Sequence, residues 1–207
     1  MGWRTRAFWD ALCGMKSKSR DHRANCKQTH PRRSLRFEQC EDRRMLATFT
    51  VNSLLDNGDG TNITLREAVD ASNLSLDPED IIIFDQSVFS NGDPIELTQG
   101  QITISETTRL VIDASMLTNG IIIDASGNDP TPTVNNGDGS RIFDITAGEI
   151  ELIALTLTGG DSSNEAGRFA GGGALRSVGV LTIRDCLFTG SRSQNGDSLI
   201  VQFTLAA

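Results

Sequence analysis

Residues 109–126, RLVIDASMLTNGIIIDAS, carry one short unit twice: LVIDAS at 110–115 and IIIDAS at 121–126. Each unit is a run of aliphatic, mostly β-branched residues that ends in Asp-Ala-Ser, and Thr118, Asn119 and Gly120 between them have turn chemistry. The stretch therefore reads as strand, corner, strand. A period of two puts Leu110, Ile112 and Ala114 on one side and Val111 and Asp113 on the other. Ile121, Ile123 and Ala125 against Ile122 and Asp124 repeat that division. The first set of each is expected to face a core.

Runs of similar size lie on both sides: IIIF at 81–84, ITI at 102–104, RIFDI at 141–145, EIELIALTLT at 149–158 and VLTIRDCLFT at 180–189. Brief strands joined by polar turns, with almost no helical period between them, predict an all-β chain wound as a parallel β-helix. At roughly 20 to 25 residues per turn, residues 81–190 supply about four to five turns. Each inward aliphatic then contributes about 1.5–3 kcal/mol of burial. The loops GNDPTPTVNNGDGS at 127–140 and GGDSSNEAGRFAGGG at 159–173 are expected to bulge from one corner.

The formal charge of -8 conceals a split. Residues 1–47 hold twelve Lys and Arg against five acids, whereas 48–207 hold seven Arg, no Lys and twenty-two acids. The acidic body repels phosphate backbones, so no nucleic-acid partner is expected, and divalent cations or basic partners are attracted. Of the four cysteines, Cys13, Cys26 and Cys40 lie in the basic tail and only Cys186 in the body, so internal disulfides are not expected there. No run approaches the eighteen apolar residues of a transmembrane helix. AFWDALCGM at 7–15, broken by Asp10, makes a poor signal-peptide core.

The tail reads as disordered in isolation. His22, Cys26 and His30 share one helical face as zinc ligands can, but a fourth ligand is missing and Pro31 ends the helix. Arg32 and Arg33 lack the apolar segment that follows a twin-arginine signal. RRSLRFEQCEDRRMLA at 32–47 resembles the N-terminal motif of many exported and cell-surface proteins of planctomycete bacteria, FEQLEDRRLLA. Phe37, Glu38, Gln39, Glu41, Asp42, Arg43, Arg44, Leu46 and Ala47 fit it, while Cys40 and Met45 stand where leucine is usual. The resemblance implies an export or sorting role for 1–47, and hence a secreted or cell-surface (outer-membrane) protein.

Residues 48–80 form a second unit. TFTV at 48–51 alternates like a strand, and DNGDGTN at 56–62 makes a loop whose Asp56 and Asp59, with Asn62, offer at most a calcium site of irregular spacing; a plain turn is the alternative. TLREAVDASN at 64–73 is the one convincing helix. Thr64 and Glu67 form a capping-box pair, Leu65, Ala68 and Val69 an apolar stripe, and Asn73 a stop. This block resembles the CSLREA N-terminal domain, matched by Thr64, Leu65, Arg66, Glu67, Ala68, Val69 and Asn73, with Ile63 in place of the usual Cys. That family sets the module ahead of a right-handed parallel β-helix of the pectin-lyase type. The resemblance implies a structural cap over the first coil, with Arg66 and Glu67 as polar anchors rather than catalytic groups.

The coil, 81–207, carries GGAL at 172–175 (Gly172, Gly173, Ala174, Leu175) and FTGS at 188–191. The pair resembles the GGA[ILV] and FxxN motifs of polymorphic outer-membrane proteins, which are often adhesive, with Ser191 in place of Asn. The glycines would allow close backbone approach and Phe188 would fill the core. DSLIVQFTLAA at 197–207 reads either as an exposed edge open to self-association or as the end of a truncated relative.

Polysaccharide-active β-helices cluster carboxylates with a basic residue on adjacent turns. Asp113 and Asp124 are the only repeated acids in register, and eleven residues, about half a turn, puts them on different faces. Without catalytic, cofactor or metal residues to name, the sequence favours a non-catalytic surface protein that binds an unidentified ligand or glycan, adheres, or serves the cell envelope. A pectate-lyase-like enzyme, or an inactive fragment of one, is the alternative.

Overall fold

The structure is a computed structural model that describes residues 46–162 and 172–193. Their elements, in chain order, are β1 (Leu46–Val51), the helix α1 (Leu65–Asn73), β2 (Glu79–Phe84), β3 (Ile95–Glu96), β4 (Ile102–Ile104), β5 (Arg109–Asp113), β6 (Ile121–Asp124), a single 3₁₀ turn (Ser126–Asn128), β7 (Phe143–Ile145), β8 (Glu149–Ile153), β9 (Leu155–Thr158), β10 (Asp161–Ser162), β11 (Leu175–Ser177), β12 (Val180–Arg184), β13 (Leu187–Thr189) and β14 (Arg192–Ser193).

All named strands pair in parallel. The largest sheet has the order β1-β2-β5-β8-β12, a second β3-β6-β9-β13, a third β4-β7-β11, and β10 pairs with β14. Strands that neighbour in space thus come from successive circuits of the chain, and the fold is a parallel β-solenoid of about four turns with one helix. The core is built from ladders of apolar side chains in register across circuits. Ile82, Ile112 and Leu152 stack in the largest sheet, Ile95, Ile123 and Leu157 in the second, and Ile102 and Phe143, with Leu175, in the third. All nine are buried.

The inward sets read from the repeat hold: Leu110, Ile112, Ala114, Ile121, Ile123 and Ala125 are buried. Val111, on the opposite side, is buried too, lying in register between Ile81 and Glu151. The turn length is a correction. Arg109 falls 30 residues after its partner Glu79, Glu149 falls 40 after Arg109, and Val180 falls 31 after Glu149. Each of these circuits contains three or four strands and its own loops, so it needs more chain than the 20 to 25 residues expected.

Two long apolar runs are also divided. EIELIALTLT is β8 and β9, broken at Ala154 (φ 58°), and VLTIRDCLFT is β12 and β13, broken at Asp185 (φ 52°). A single left-handed residue turns the corner that the circuit below makes with Ala114–Gly120 by a longer route. Gly120 (φ +66°) belongs to that longer corner, and a Cβ there would lie 2.2 Å from the Ala154 carbonyl oxygen in the circuit above.

Candidate functional site

The helix α1 begins as its sequence predicts. Thr64 is the N-cap: its Oγ1 accepts the Glu67 N–H at 3.1 Å, and Glu67 Oε2 accepts the Thr64 N–H at 2.9 Å. Leu65, Ala68, Val69 and Ser72 are buried, so the apolar stripe faces the open end of the core. β4 is the first strand of its sheet, and α1 lies where a preceding strand would pair. Its polar side chains replace the missing ladder. Arg66 donates to the carbonyls of Gln101 (2.9 Å) and Gly100 (2.8 Å), while Asn73 donates to the Thr103 carbonyl (3.0 Å) and accepts the Ser105 N–H (2.8 Å). Seven helical residues rise about 10.5 Å and three strand residues about 10 Å, so positions 66 and 73 match the strand edge they serve. Asn73, read as the helix stop, is the last residue of α1, with Leu74 as a C-cap of right-handed helical backbone, and its side chain also pins this edge.

Asp56 completes the lid. Its buried carboxylate receives Arg66 through Nε (2.8 Å) and Nη2 (3.0 Å) and also the N–H groups of Thr98 and Gln99, each at 2.8 Å. Asp59 turns the other way, accepting the N–H groups of Asn62 and Thr61 and the Asn62 amide; these bonds, led by the Asn62 N–H, hold its carboxyl below the usual range. The two loop aspartates are thus engaged separately. Ile63, where the resembled family has Cys, is exposed and pairs with Asn52 through main-chain and side-chain bonds.

The aspartates of the repeated Asp-Ala-Ser units form turns. Asp113 Oδ1 accepts the Ser115 N–H at 2.7 Å and Asp124 Oδ1 accepts the Ser126 N–H at 2.8 Å. The same Asp-to-(i+2) bond recurs at Asp59-Gly60-Thr61, Asp85-Gln86-Ser87 and Asp129-Pro130-Thr131. At Asp85, Asp113 and Asp124 this Asx turn ends a strand by offering its backbone a competing acceptor. The Asp-x-Ser/Thr spacing was visible in the sequence and its regularity was the missed signal. Asp113 and Asp124 lie in different sheets, as their spacing implies, although eleven residues is nearer a third of these circuits than half.

The outer face of the largest sheet carries a charge ladder. Glu79, Arg109, Glu149 and Val180 form one register row, with Glu151 in the next outward row and Arg184 in the one after that. Arg109 meets Glu79 at 2.7 Å, Glu151 at 2.6 Å and Glu149 at 3.7 Å, and Arg184 also pairs with Glu151. The Glu151 hydrogen bond, reinforced by the charges of Glu79 and Glu149, raises the Arg109 pKa. Beside the row an open recess of about 470 Å³ is lined by Pro78, Thr107, Thr108 and Gly148 as well as the charged residues. Such a face can hydrogen-bond a polar ligand; Glu79 and Glu151 are already held by guanidinium groups, while Glu149 is largely exposed.

On the third sheet Ala174 and Leu175 are buried, and Gly173 lies so close to the next circuit that a Cβ would be 2.0 Å from the Arg192 carbonyl oxygen. Gly172 has φ +74°. Phe188 continues the Leu157 row and packs, half-buried, against the core. Ser191 Oγ accepts the Gly160 N–H at 3.3 Å, a bond that an Asn there would also offer. Cys186 bonds the Leu155 N–H and the Arg184 carbonyl, and burial pushes its thiol pKa up. Leu46 and Ala47 are the first residues of β1, paired with Glu79 and Asp80. The rest of the sorting motif (Phe37, Glu38, Glu41, Asp42, Arg43 and Arg44), the His22, Cys26 and His30 set, and the C-terminal edge at 197–207 lie outside the described residues. No described helix is long and apolar enough to cross a membrane. Comparison with protein-family models, curated proteins and solved structures finds no match to this chain.

Proposed function

We propose that this chain is a non-catalytic secreted or cell-surface protein whose solenoid face binds a polar surface ligand or glycan, or serves as a structural element of the cell envelope. One observation carries the reading: on the outer face of the largest sheet Arg109 hydrogen-bonds Glu79 and Glu151, Arg184 also pairs with Glu151, and Glu149 stands 3.7 Å from Arg109. A glycosidic acid or base must be free to exchange a proton with the sugar, and a carboxylate clamped by a guanidinium is poorly suited to that. A rigid row of alternating charges suits recognition by hydrogen bonding and charge complementarity instead. The resemblances to a planctomycete sorting motif, a CSLREA cap and polymorphic outer-membrane repeats supply the address. The adhesive reading rests on the last of these and on the acidic body.

The second reading, a polysaccharide-active enzyme, is favoured by the recess itself, which gathers Glu79, Glu149 and Arg109 beside a cleft. One experiment separates the two. The full chain is incubated with acidic and neutral glycans, with and without calcium, while binding to the same glycans is followed on an array. Retention without products supports the binding reading. Cleavage lost in E149Q or R109A transfers the assignment to the enzyme. Fractionation of native cells tests the address, and recovery from the cytoplasm alone refutes it.

A further inference from the structure

The loop after β6 and the short β10–β14 pair meet at one corner, where Asp138 and Ser162 form an antiparallel bridge. There Asp129, Asp138 and Asp161 each bring a carboxylate oxygen within 4.8 Å of the other two. Local structure fixes each of them. Asp129 is held by its Asx turn to Thr131, and Asp138 by Thr131 and the Asn136 amide. The Asp161 N–H bonds the Ser140 carbonyl at 3.2 Å. Gly139 lets the loop fold back, since a Cβ there would sit 2.9 Å from the Asp161 carbonyl oxygen and 3.0 Å from Asp129 Cβ.

A second observation points to a ligand. Asp161 is 0% exposed, yet neither of its carboxylate oxygens has a hydrogen-bond partner. The adjacent cation, Arg192, donates to Asp129 Oδ2 at 3.2 Å and to the Pro132 carbonyl, but stays 4.0 Å from Asp161 Oδ2. A buried carboxylate without hydrogen bonds is among the costliest arrangements a fold can hold, and one guanidinium against three carboxylates leaves two negative charges uncompensated. We propose that Asp129, Asp138 and Asp161 form a divalent-cation site that clips the 126–140 loop to the solenoid. Calcium fits the chemistry: the donors are all hard oxygens, Asp161 offers two, and exposed Asp138 leaves one side open to water ligands. The site is distinct from the loop aspartates Asp56 and Asp59 and independent of what the charge ladder binds.

The test uses the full chain, stripped with EDTA and titrated with calcium chloride by calorimetry, with thermal melts across the same concentrations. The expected result is one saturable site whose occupancy raises the Tm, with affinity at least tenfold weaker in D138N, abolished in D161N and unchanged in D59N. Because Asp138 is exposed, D138N keeps the test valid if D161N fails to fold. No saturable heat at millimolar calcium, binding unaffected by D138N, or binding lost in D59N would each overturn the assignment.

Discussion

Replacing Arg66 by alanine should loosen the lid over the first coil more than any other single surface-accessible change. The Asp56 side chain is 1% exposed and that of Arg66 18%, so the pair is largely out of water. The guanidinium makes two bonds to this carboxylate and two to the Gly100 and Gln101 carbonyls. Its loss leaves a buried charge with only the Thr98 and Gln99 N–H groups and uncovers two carbonyls at the end of the third sheet. Breaking a buried pair from one side costs about 3–5 kcal/mol. For a domain of this size that corresponds to a Tm drop of about 6–20 °C. Urea unfolding followed by circular dichroism measures the cost, and R66K should recover only part of it, because an ammonium cannot span both oxygens of Asp56 while reaching the strand. The D56N and R66A/D56N variants complete a double-mutant cycle with an expected coupling of about 0.5–3 kcal/mol. Hydrogen exchange locates the effect: the N–H groups of Thr98, Gln99 and Ser105 should lose protection, whereas those of β9, two circuits away, should keep it. An R66A cost below about 1 kcal/mol, or costs that simply add, would show that the lid is held by the apolar stripe alone.

Gly120→Ala should cost about 2–4 kcal/mol by thermal melting, from the left-handed backbone and from a Cβ placed 2.2 Å from the Ala154 carbonyl oxygen; wild-type stability would refute the stacked corner. Asp80 points inward in the Leu110 and Ile150 row, fully buried with Oδ2 unpartnered, and desolvation raises its pKa. Since its folded pKa exceeds the unfolded one, its protonation favours the fold. That contribution is complete below the unfolded carboxyl pKa of about 4 and is lost as pH rises through the folded value. D80N should therefore stabilise the chain by about 1 kcal/mol at pH 7 and flatten the decline across that window, and urea melts from pH 4 to 8 decide it. Arg109→Ala should cost only about 1 kcal/mol, less in high salt, because its side chain is 40% exposed and Glu151 keeps Arg184; a salt-independent loss would contradict the ladder's exposure.

Local patterns were legible without coordinates. The capping box of Thr64 and Glu67, the Leu65, Ala68 and Val69 stripe, and the inward sides of LVIDAS and IIIDAS depend on periods of two or 3.6 residues and on bonds three residues apart. The backbone obeys those rules wherever the segment ends up. A coil of strands was expected from them, because many brief two-sided strands joined by small polar turns, with almost no helical period between them, suit such a coil.

What links one circuit to the next was not legible. The partners Asp56 and Arg66, Arg66 and Gly100, or Glu79, Arg109 and Glu149 are set by how much chain each circuit spends in its loops, and 30, 40 and 31 residues cannot be read from any period. Asp129, Asp138 and Asp161 show the same limit: three acids scattered among twenty-two in the body converge only after Gly139 folds the loop back. The residue sequence by itself determined which side of each strand is apolar and where the one helix starts. Only the tertiary structure decided which circuits touch, and so which charges meet, because register accumulates over loops whose lengths side-chain chemistry does not constrain.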